Sequence, residues 1–386
     1  MENTHPGFAT RAIHAGQEPD PATGAIMTPV FLTSTYVQEE LGKNKGYEYS
    51  RVSNPTRTAL EQNIASLEGG TSGLAFGSGT AAVDALFHVL APGDHVIVSR
   101  NVYGGTYRIA RTIWEAYGLT FSFVDSTDMR CVEEALRPST RMLFIETPTN
   151  PTIEITDLEA CARFARAHNL LSVVDNTFAT PYLQQPLGFG IDVAVHSLTK
   201  YLNGHSDMLG GLVVTSRPDV VERLRYMQKA VGAILAPFDA WLCLRGTKTL
   251  AVRMRQHCAS AQEVARWLAA RKGIERVLYP GLESHPGHAL AGRQMRGYGG
   301  MISFDLGSLS RAASFLKHVR LCALAESLGG VETIITHPAT MTHAAIPPEE
   351  RTRIGVTDGL VRISVGLEEV EDIIRDIDGA MTKAGL

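Results

Sequence analysis

One lysine stands out by its company. Lys200 lies in His196-Ser197-Leu198-Thr199-Lys200-Tyr201-Leu202-Asn203-Gly204-His205-Ser206-Asp207, with Gly210-Gly211 just beyond. The apolar run Ile191 to Val195 leads in and Leu212-Val213-Val214 leads out, a pattern that predicts strand, loop, strand. An ammonium beside apolar strands is poorly solvated, and such burial lowers its pKa and makes the amine a nucleophile toward carbonyls. The plain alternative is an exposed loop lysine, the commoner case for a lysine taken alone.

Other residues gather at the ends of apolar runs. Val173-Val174-Asp175-Asn176-Thr177 places an acid where a strand ends, the edge at which open α/β sheets bind ligands. Its plain alternative is a cap on the following segment. Phe76-Gly77-Ser78-Gly79-Thr80 ends a strand and begins a helix, so small residues there let backbone N–H groups approach an anion. Neither the dinucleotide G-x-G-x-x-G nor the P-loop is present, and a lone G-S-G also suits a tight turn. Tyr103, in Asn101-Val102-Tyr103-Gly104-Gly105, is an aromatic able to stack on a flat ligand or simply to pack. Arg51, in Tyr47-Glu48-Tyr49-Ser50-Arg51, is a partner for phosphate or carboxylate, or an exposed linker charge. Arg362, in Leu360-Val361-Arg362-Ile363-Ser364-Val365, is out of place in a strand buried on both faces. It points to bidentate binding of a substrate carboxylate, unless the strand lies at an edge with Arg outward.

Together these residues offer a nucleophilic amine, a carboxylate, a stacking aromatic, an anion cradle and a carboxylate-binding Arg. Pyridoxal phosphate (PLP) requires each of them: lysine for its aldehyde, an acid for its ring nitrogen, N–H and hydroxyl donors for its phosphate.

Elements must hold this set in place. Strands are predicted at Gly73 to Gly77, His95 to Ser99, Leu119 to Val124, Met142 to Ile145, Leu171 to Val174, Ile191 to Val195 and Leu212 to Thr215. Helices are predicted at Thr80 to Leu90, Thr106 to Tyr117 and Asp157 to His168. Asn54-Pro55-Thr56 opens an earlier helix with the stripe Leu60, Ile64, Leu67, stopped by Gly69-Gly70. The alternation implies an α/β fold with a mainly parallel seven-stranded sheet covered on both faces. Residues 1–50, with Pro6, Pro19, Pro21 and Pro29 and an extended-looking Val30 to Tyr36, form an arm against a second subunit. From Pro237 a long helical stretch carries Trp241 to Leu268. Strands at Val277 to Tyr279, Met301 to Phe304 and Val361 to Val365 follow, then a closing helix from Glu368. Domains are therefore expected at 51–250 (cofactor-binding) and 251–386 (a smaller α+β unit).

Composition narrows the partners. The chain has 386 residues, 44% hydrophobic and 20% charged, with net charge -4. That suits a soluble globular protein and gives no basic field for nucleic acid or anionic membrane. No apolar stretch reaches membrane-spanning length, and Met1 to Pro6 lacks the regions of a signal peptide. Five dispersed cysteines, without C-x-x-C, predict reduced thiols in the cytoplasm and no metal site.

The same residues carry a family resemblance. Tyr49-Ser50-Arg51 with Asn54-Pro55-Thr56-Arg57, Glu146-Thr147-Pro148-Thr149-Asn150-Pro151, Val174-Asp175-Asn176-Thr177, Ser197-Leu198-Thr199-Lys200-Tyr201 and Ala325-Glu326-Ser327-Leu328-Gly329-Gly330 resemble the cysteine/methionine-metabolism branch of fold-type I PLP enzymes. The likeness runs from Thr10 to Glu368. It departs at Thr80, where Met or Leu is usual, and at Ser53, where Gly is usual. The resemblance implies an aspartate-aminotransferase-like fold and a homotetramer of two catalytic dimers acting on a small amino acid. It implies that Lys200 holds PLP, Asp175 pairs with its ring nitrogen and Tyr103 stacks on it. Gly79, Thr80, Ser197 and Thr199 would bind the phosphate, joined by Tyr49 and Arg51 of a neighbouring subunit. Asn150, Ser327 and Arg362 would hold the substrate carboxylate, Glu48 would meet the distal ammonium of cystathionine, and Glu326 is a further substrate-binding candidate. Methionine γ-lyases resemble Tyr-Gly-Cys where this chain has Tyr103-Gly104-Gly105, which disfavours that activity. The implied reaction is α,γ-elimination of cystathionine. The alternative is γ-replacement of an O-acylhomoserine by cysteine, as in a cystathionine γ-synthase.

Overall fold

The computed structural model describes residues 6–344 and 346–386, so the N-terminal stretch read for a leader falls largely outside it. All seven strands expected in the first part of the chain form one sheet. They are β1 (Ser72–Phe76), β2 (His95–Ser99), β3 (Thr120–Val124), β4 (Thr140–Glu146), β5 (Leu171–Asp175), β6 (Val193–Ser197) and β7 (Gly211–Thr215), in the order β1-β7-β6-β5-β4-β2-β3. Pairings among β2 to β6 are parallel. Only the Lys200 loop joins β6 to β7, with no crossover helix, so β7 returns antiparallel. β1 in turn runs antiparallel to β7. The two reversals cancel, and the carboxyl ends of β1, β2, β4, β5 and β6 all meet at one edge.

The helix Pro55–Glu68 starts as its sequence dictates. Asn54 accepts from the Thr56 and Arg57 N–H groups, and Gly69 ends it in the left-handed conformation at φ 80°. Two helical expectations are corrected. The segment from Gly104 is α-helical only to Ile109 and continues as a π-turn, Ala110–Trp114. That wider turn seats Trp114, whose indole N–H donates to Asp84 and whose ring meets Phe87 edge-on. The stretch from Pro237 is two helices, Pro237–Thr247 and Leu250–Ala270. The first stops where Gly246 is pressed against the Asn203 carbonyl and the Arg253 guanidinium takes the Gly246 carbonyl.

A second sheet follows: β8 (Arg276–Leu278), β9 (Met301–Asp305), β10 (Ala323–Leu324), β11 (Ile334–Thr336) and β12 (Leu360–Ser364), in the order β10-β11-β12-β9-β8. The short β10 and β11 are additions to the expected set, and the helix Val370–Lys383 closes the chain. The helix Leu250–Ala270 belongs to both cores. Leu250 and Met254 pack beside Tyr201, whereas Ala261, Val264 and Leu268 pack with Ile302 and Phe304. The arm is less irregular than expected. It contains the helix Phe8–His14, held to the helix Pro55–Glu68 by Asn63, which donates to the Arg11, Ala12 and Ala15 carbonyls. Val30 to Tyr36 is not a strand and makes only the isolated bridge Thr35–Tyr49. Ile26, Leu32, Val37 and Leu41 of the arm are exposed. Among the described residues, no helix is long and apolar enough to cross a membrane, and no three His, Cys, Asp or Glu side chains cluster as metal ligands.

Candidate active site

The edge where the parallel strands end opens into a cavity of about 280 Å³. Its wall includes Gly79, Thr80, Tyr103, Asn150, Asp175, Ser197, Thr199, Lys200, Glu326, Ser327 and Arg362, so eleven of the fourteen residues singled out in the sequence meet there. The loop carrying Lys200 is pinned at its base: Leu198 N–H donates to the Gly210 carbonyl, and the Gly210 N–H to the Thr199 hydroxyl. Lys200 Nζ reaches out to the Ser327 hydroxyl at 2.7 Å. Burial, with the Arg362 charge adding, brings its ammonium down to about 8, while Glu326 acts in the opposite direction.

Asp175 sits at the end of β5. Its carboxylate accepts from the Thr177 N–H at 3.0 Å, so it caps the next segment and borders the cavity at the same time. Desolvation pushes this carboxyl up, against the Thr177 hydrogen bonds and the nearby His196. At the far end, Ser78 caps the helix Gly79–Phe87 by accepting from Ala81 N–H. The first N–H groups of a helix have no carbonyl partner within it. A Cβ at Gly79 would lie 3.0 Å from the Ser197 Cβ, so glycine lets that backbone close on the Ser197 wall. The Tyr103 ring is 41% exposed and lies over Gly105, where a Cβ would come 2.3 Å from its Cε1.

Arg362 is on β12, a central strand, which removes the edge-strand alternative. It is 2% exposed. Its guanidinium donates to Asn150 Oδ1 at 2.8 Å, to the Ser327 carbonyl at 2.9 Å and to the Thr336 hydroxyl at 3.3 Å. Among the described residues no carboxylate lies within ion-pair distance, and its Nε is buried without a partner. Desolvation lowers its pKa to about 10. A buried cation lacking its anion is costly and suits a ligand carboxylate. Ser327, which faces both Lys200 and Arg362, has φ 98°, a conformation strained for a residue with a Cβ.

Three candidates stand outside this chain's cavity. Glu48 accepts from the Asn44 amide, and Arg51 donates to the Lys229 carbonyl while lying over the Tyr49 ring. Glu48 and Tyr49 end the arm, and Arg51 follows it directly. Of the acidic wall residues, one received no role from the sequence: Glu146, at the end of β4 and directly across from Asp175 in the sheet register. The signal that drew attention to Asp175, an acid ending an apolar strand, was present there too.

The residues fit PLP on the chemistry of the donor set. A desolvated amine, a carboxylate, an aromatic face and a hydroxyl-lined helix start share one cavity, with an unsatisfied guanidinium beside them. Fold and pocket define a fold-type I PLP-dependent enzyme. The family described as Cys/Met metabolism PLP-dependent enzyme matches residues 9–382. A cystathionine β-lyase of Coxiella burnetii is 52% identical over 96% of this chain and 97% of its own length. A cystathionine γ-lyase of Bacillus subtilis is 49% identical over 96% and 98%. The crystal structure of cystathionine γ-lyase from Lactobacillus plantarum, complexed with L-serine, superposes with a TM-score of 0.96. It is 45% identical and covers 98% of this chain and all of that one. The chain belongs to the Cys/Met metabolism family of PLP-dependent enzymes.

Proposed function

We propose that this protein is a cystathionine γ-lyase, converting L-cystathionine and water to L-cysteine, 2-oxobutanoate and ammonia. The observation that carries the reading is a buried Arg362 with no ion-pair partner among the described residues, beside Glu326 at the same cavity wall. They offer one site for an α-carboxylate and one for the ammonium at the other end of a long diamino acid.

Pyridoxal phosphate, when bound, supplies an aldehyde for the substrate amine and a ring that draws electrons from its α-carbon. Lys200, with its lowered pKa, would carry protons one at a time: the α-proton would be taken and handed to the cofactor before one is taken from the β-carbon, and that second proton would go to the departing sulfur as the γ-carbon–sulfur bond breaks. Asp175 would keep a proton on the ring nitrogen and Tyr103 would stack on the ring. Gly79, Thr80, Ser197 and Thr199 would hold the phosphate, and Arg362, Asn150 and Ser327 the carboxylate. Glu48, Tyr49 and Arg51, which do not line this chain's own cavity, act in that of a neighbouring copy. The arm (1–50), the cofactor domain (51–250) and the C-terminal domain (251–386) then assemble as a cytoplasmic homotetramer of two dimers.

A second reading is α,β-elimination, favoured by the β-lyase name of the 52% identical relative. Keto-acid analysis with cystathionine separates them. The γ-lyase reading predicts 2-oxobutanoate and cysteine, and pyruvate with homocysteine would overturn it. Formation of cystathionine from cysteine and O-succinylhomoserine with the larger kcat/KM would assign a γ-synthase instead.

A further inference from the structure

We infer that Glu146 is a positioning residue that couples the aromatic wall of the cavity to its carboxylate-binding side. This rests on the PLP-enzyme reading above and extends it to a residue with no role so far. Glu146 is 4% exposed and ends the central strand β4. Both carboxylate oxygens are engaged. One accepts the Tyr103 N–H at 2.7 Å and the other the Asn150 N–H at 3.0 Å. Tyr103 opens the helix that carries the ring wall. Asn150 holds Arg362 through its Oδ1. One side chain therefore ties the stacking aromatic to the group that orients the guanidinium.

The rest of Asn150 is clamped as well. Its carbonyl accepts from His343 Nε2 at 3.2 Å, and His343 Nδ1 meets the Thr342 hydroxyl at 2.8 Å. Thr342 borders the cavity, and its carbonyl lies where a Cβ on Gly104 would sit, at 2.4 Å. The helix start at Tyr103-Gly104 is thus held from two sides, and both routes pass through Asn150.

The requirement for Glu follows from its two acceptors. Gln offers one acceptor, and its amide N–H would face one of the two backbone donors. Asp keeps both acceptors but draws them back by one methylene. A buried carboxylate between two backbone donors makes strong, charge-assisted bonds. Burial and the adjacent Asp175 push the Glu146 carboxyl up, whereas the Tyr103 and Asn150 N–H groups and Arg362 oppose that rise.

The test uses PLP-loaded enzyme and glycine, an amino acid that cannot undergo elimination. Glycine binding is read from the change in the cofactor's visible absorption, so turnover is not needed. Glu146→Gln and Glu146→Asp are measured beside wild type, together with the Kd for PLP of the cofactor-free proteins. The expected result is a glycine Kd at least tenfold higher in both variants, with the PLP Kd changed less than threefold. If the Gln variant does not fold, the Asp variant carries the test. A glycine Kd within threefold of wild type overturns the inference, as does parallel loss of PLP and glycine binding, which marks a purely structural carboxylate. Failure of wild type to release any keto acid from cystathionine would instead count against the proposed reaction and leave the glycine result standing.

Discussion

Arg362→Met isolates the group on which substrate recognition turns. Met replaces about the length of the aliphatic stem of Arg and carries neither charge nor donors. In the native site the guanidinium is anchored by Asn150, Ser327 and Thr336, and its Nε is buried with no partner. A substrate carboxylate would take charge-assisted hydrogen bonds from it, each worth roughly 1.5–3 kcal/mol. Losing two of them, less what water recovers, removes about 3–4 kcal/mol, or 10²- to 10³-fold at about 1.4 kcal/mol per decade. The assay is steady-state kcat/KM for cystathionine, with PLP loading followed by absorbance. Loading should persist, because Lys200 and the helix start at Gly79 are untouched. A fall in kcat/KM of less than fivefold, with full loading, would refute the assignment of Arg362 to the carboxylate.

Two more outcomes follow from the geometry. Gly105→Cys puts a Cβ 2.3 Å from the Tyr103 ring, which must move. A displacement of about 1 Å at a reacting site costs on the order of 10²-fold in rate, so kcat/KM for cystathionine should drop by at least tenfold. An unchanged value would show that Tyr103 does not set the ring's position. In the cofactor-free protein, burial brings Lys200 to about 8 from the usual 10.5. Between those values the unfolded chain holds a proton that the folded one has released. Lys200 therefore makes stability rise with pH across pH 8 to 10.5, by at most about 1.4 kcal/mol per unit. Urea unfolding of wild type and Lys200→Met over that range should give profiles that differ by this slope, the buried thiols of Cys161, Cys243 and Cys258 contributing equally to both. Parallel profiles would contradict it.

Much of this was legible in residue order. All but β3 of the strands in the large sheet are mostly apolar and largely buried, which leaves the pattern undisguised; β3, at the edge, interleaves Thr120 and Ser122 with its apolar residues. Lys200, Asp175 and Arg362 were visible because each is a charged residue where apolar neighbours make charge expensive. β11 escaped because three residues, Ile334–Thr336, show no usable period, and its partner β10 has only two. The break between Pro237–Thr247 and Leu250–Ala270 escaped because it depends on Arg253 and Gly246 meeting the Asn203 segment, a contact between distant parts of the chain. Glu146 bears the same mark as Asp175, an acid ending an apolar strand, but its role is not legible there: its partners are the backbone N–H groups of Tyr103 and Asn150, which leave no mark in a sequence. Glu48, Tyr49 and Arg51 lie at the end of or just after a segment whose Ile26, Leu32, Val37 and Leu41 are exposed, and nothing in their own order tells which cavity they serve.

The central claim concerns one amine. Borohydride reduction of the PLP-loaded protein, followed by digestion and peptide mass mapping, locates the cofactor directly. The account predicts a pyridoxyl-phosphate adduct on the peptide containing Lys200, absent from Lys200→Ala. An adduct on any other lysine, or none on a protein that carries PLP, would contradict it.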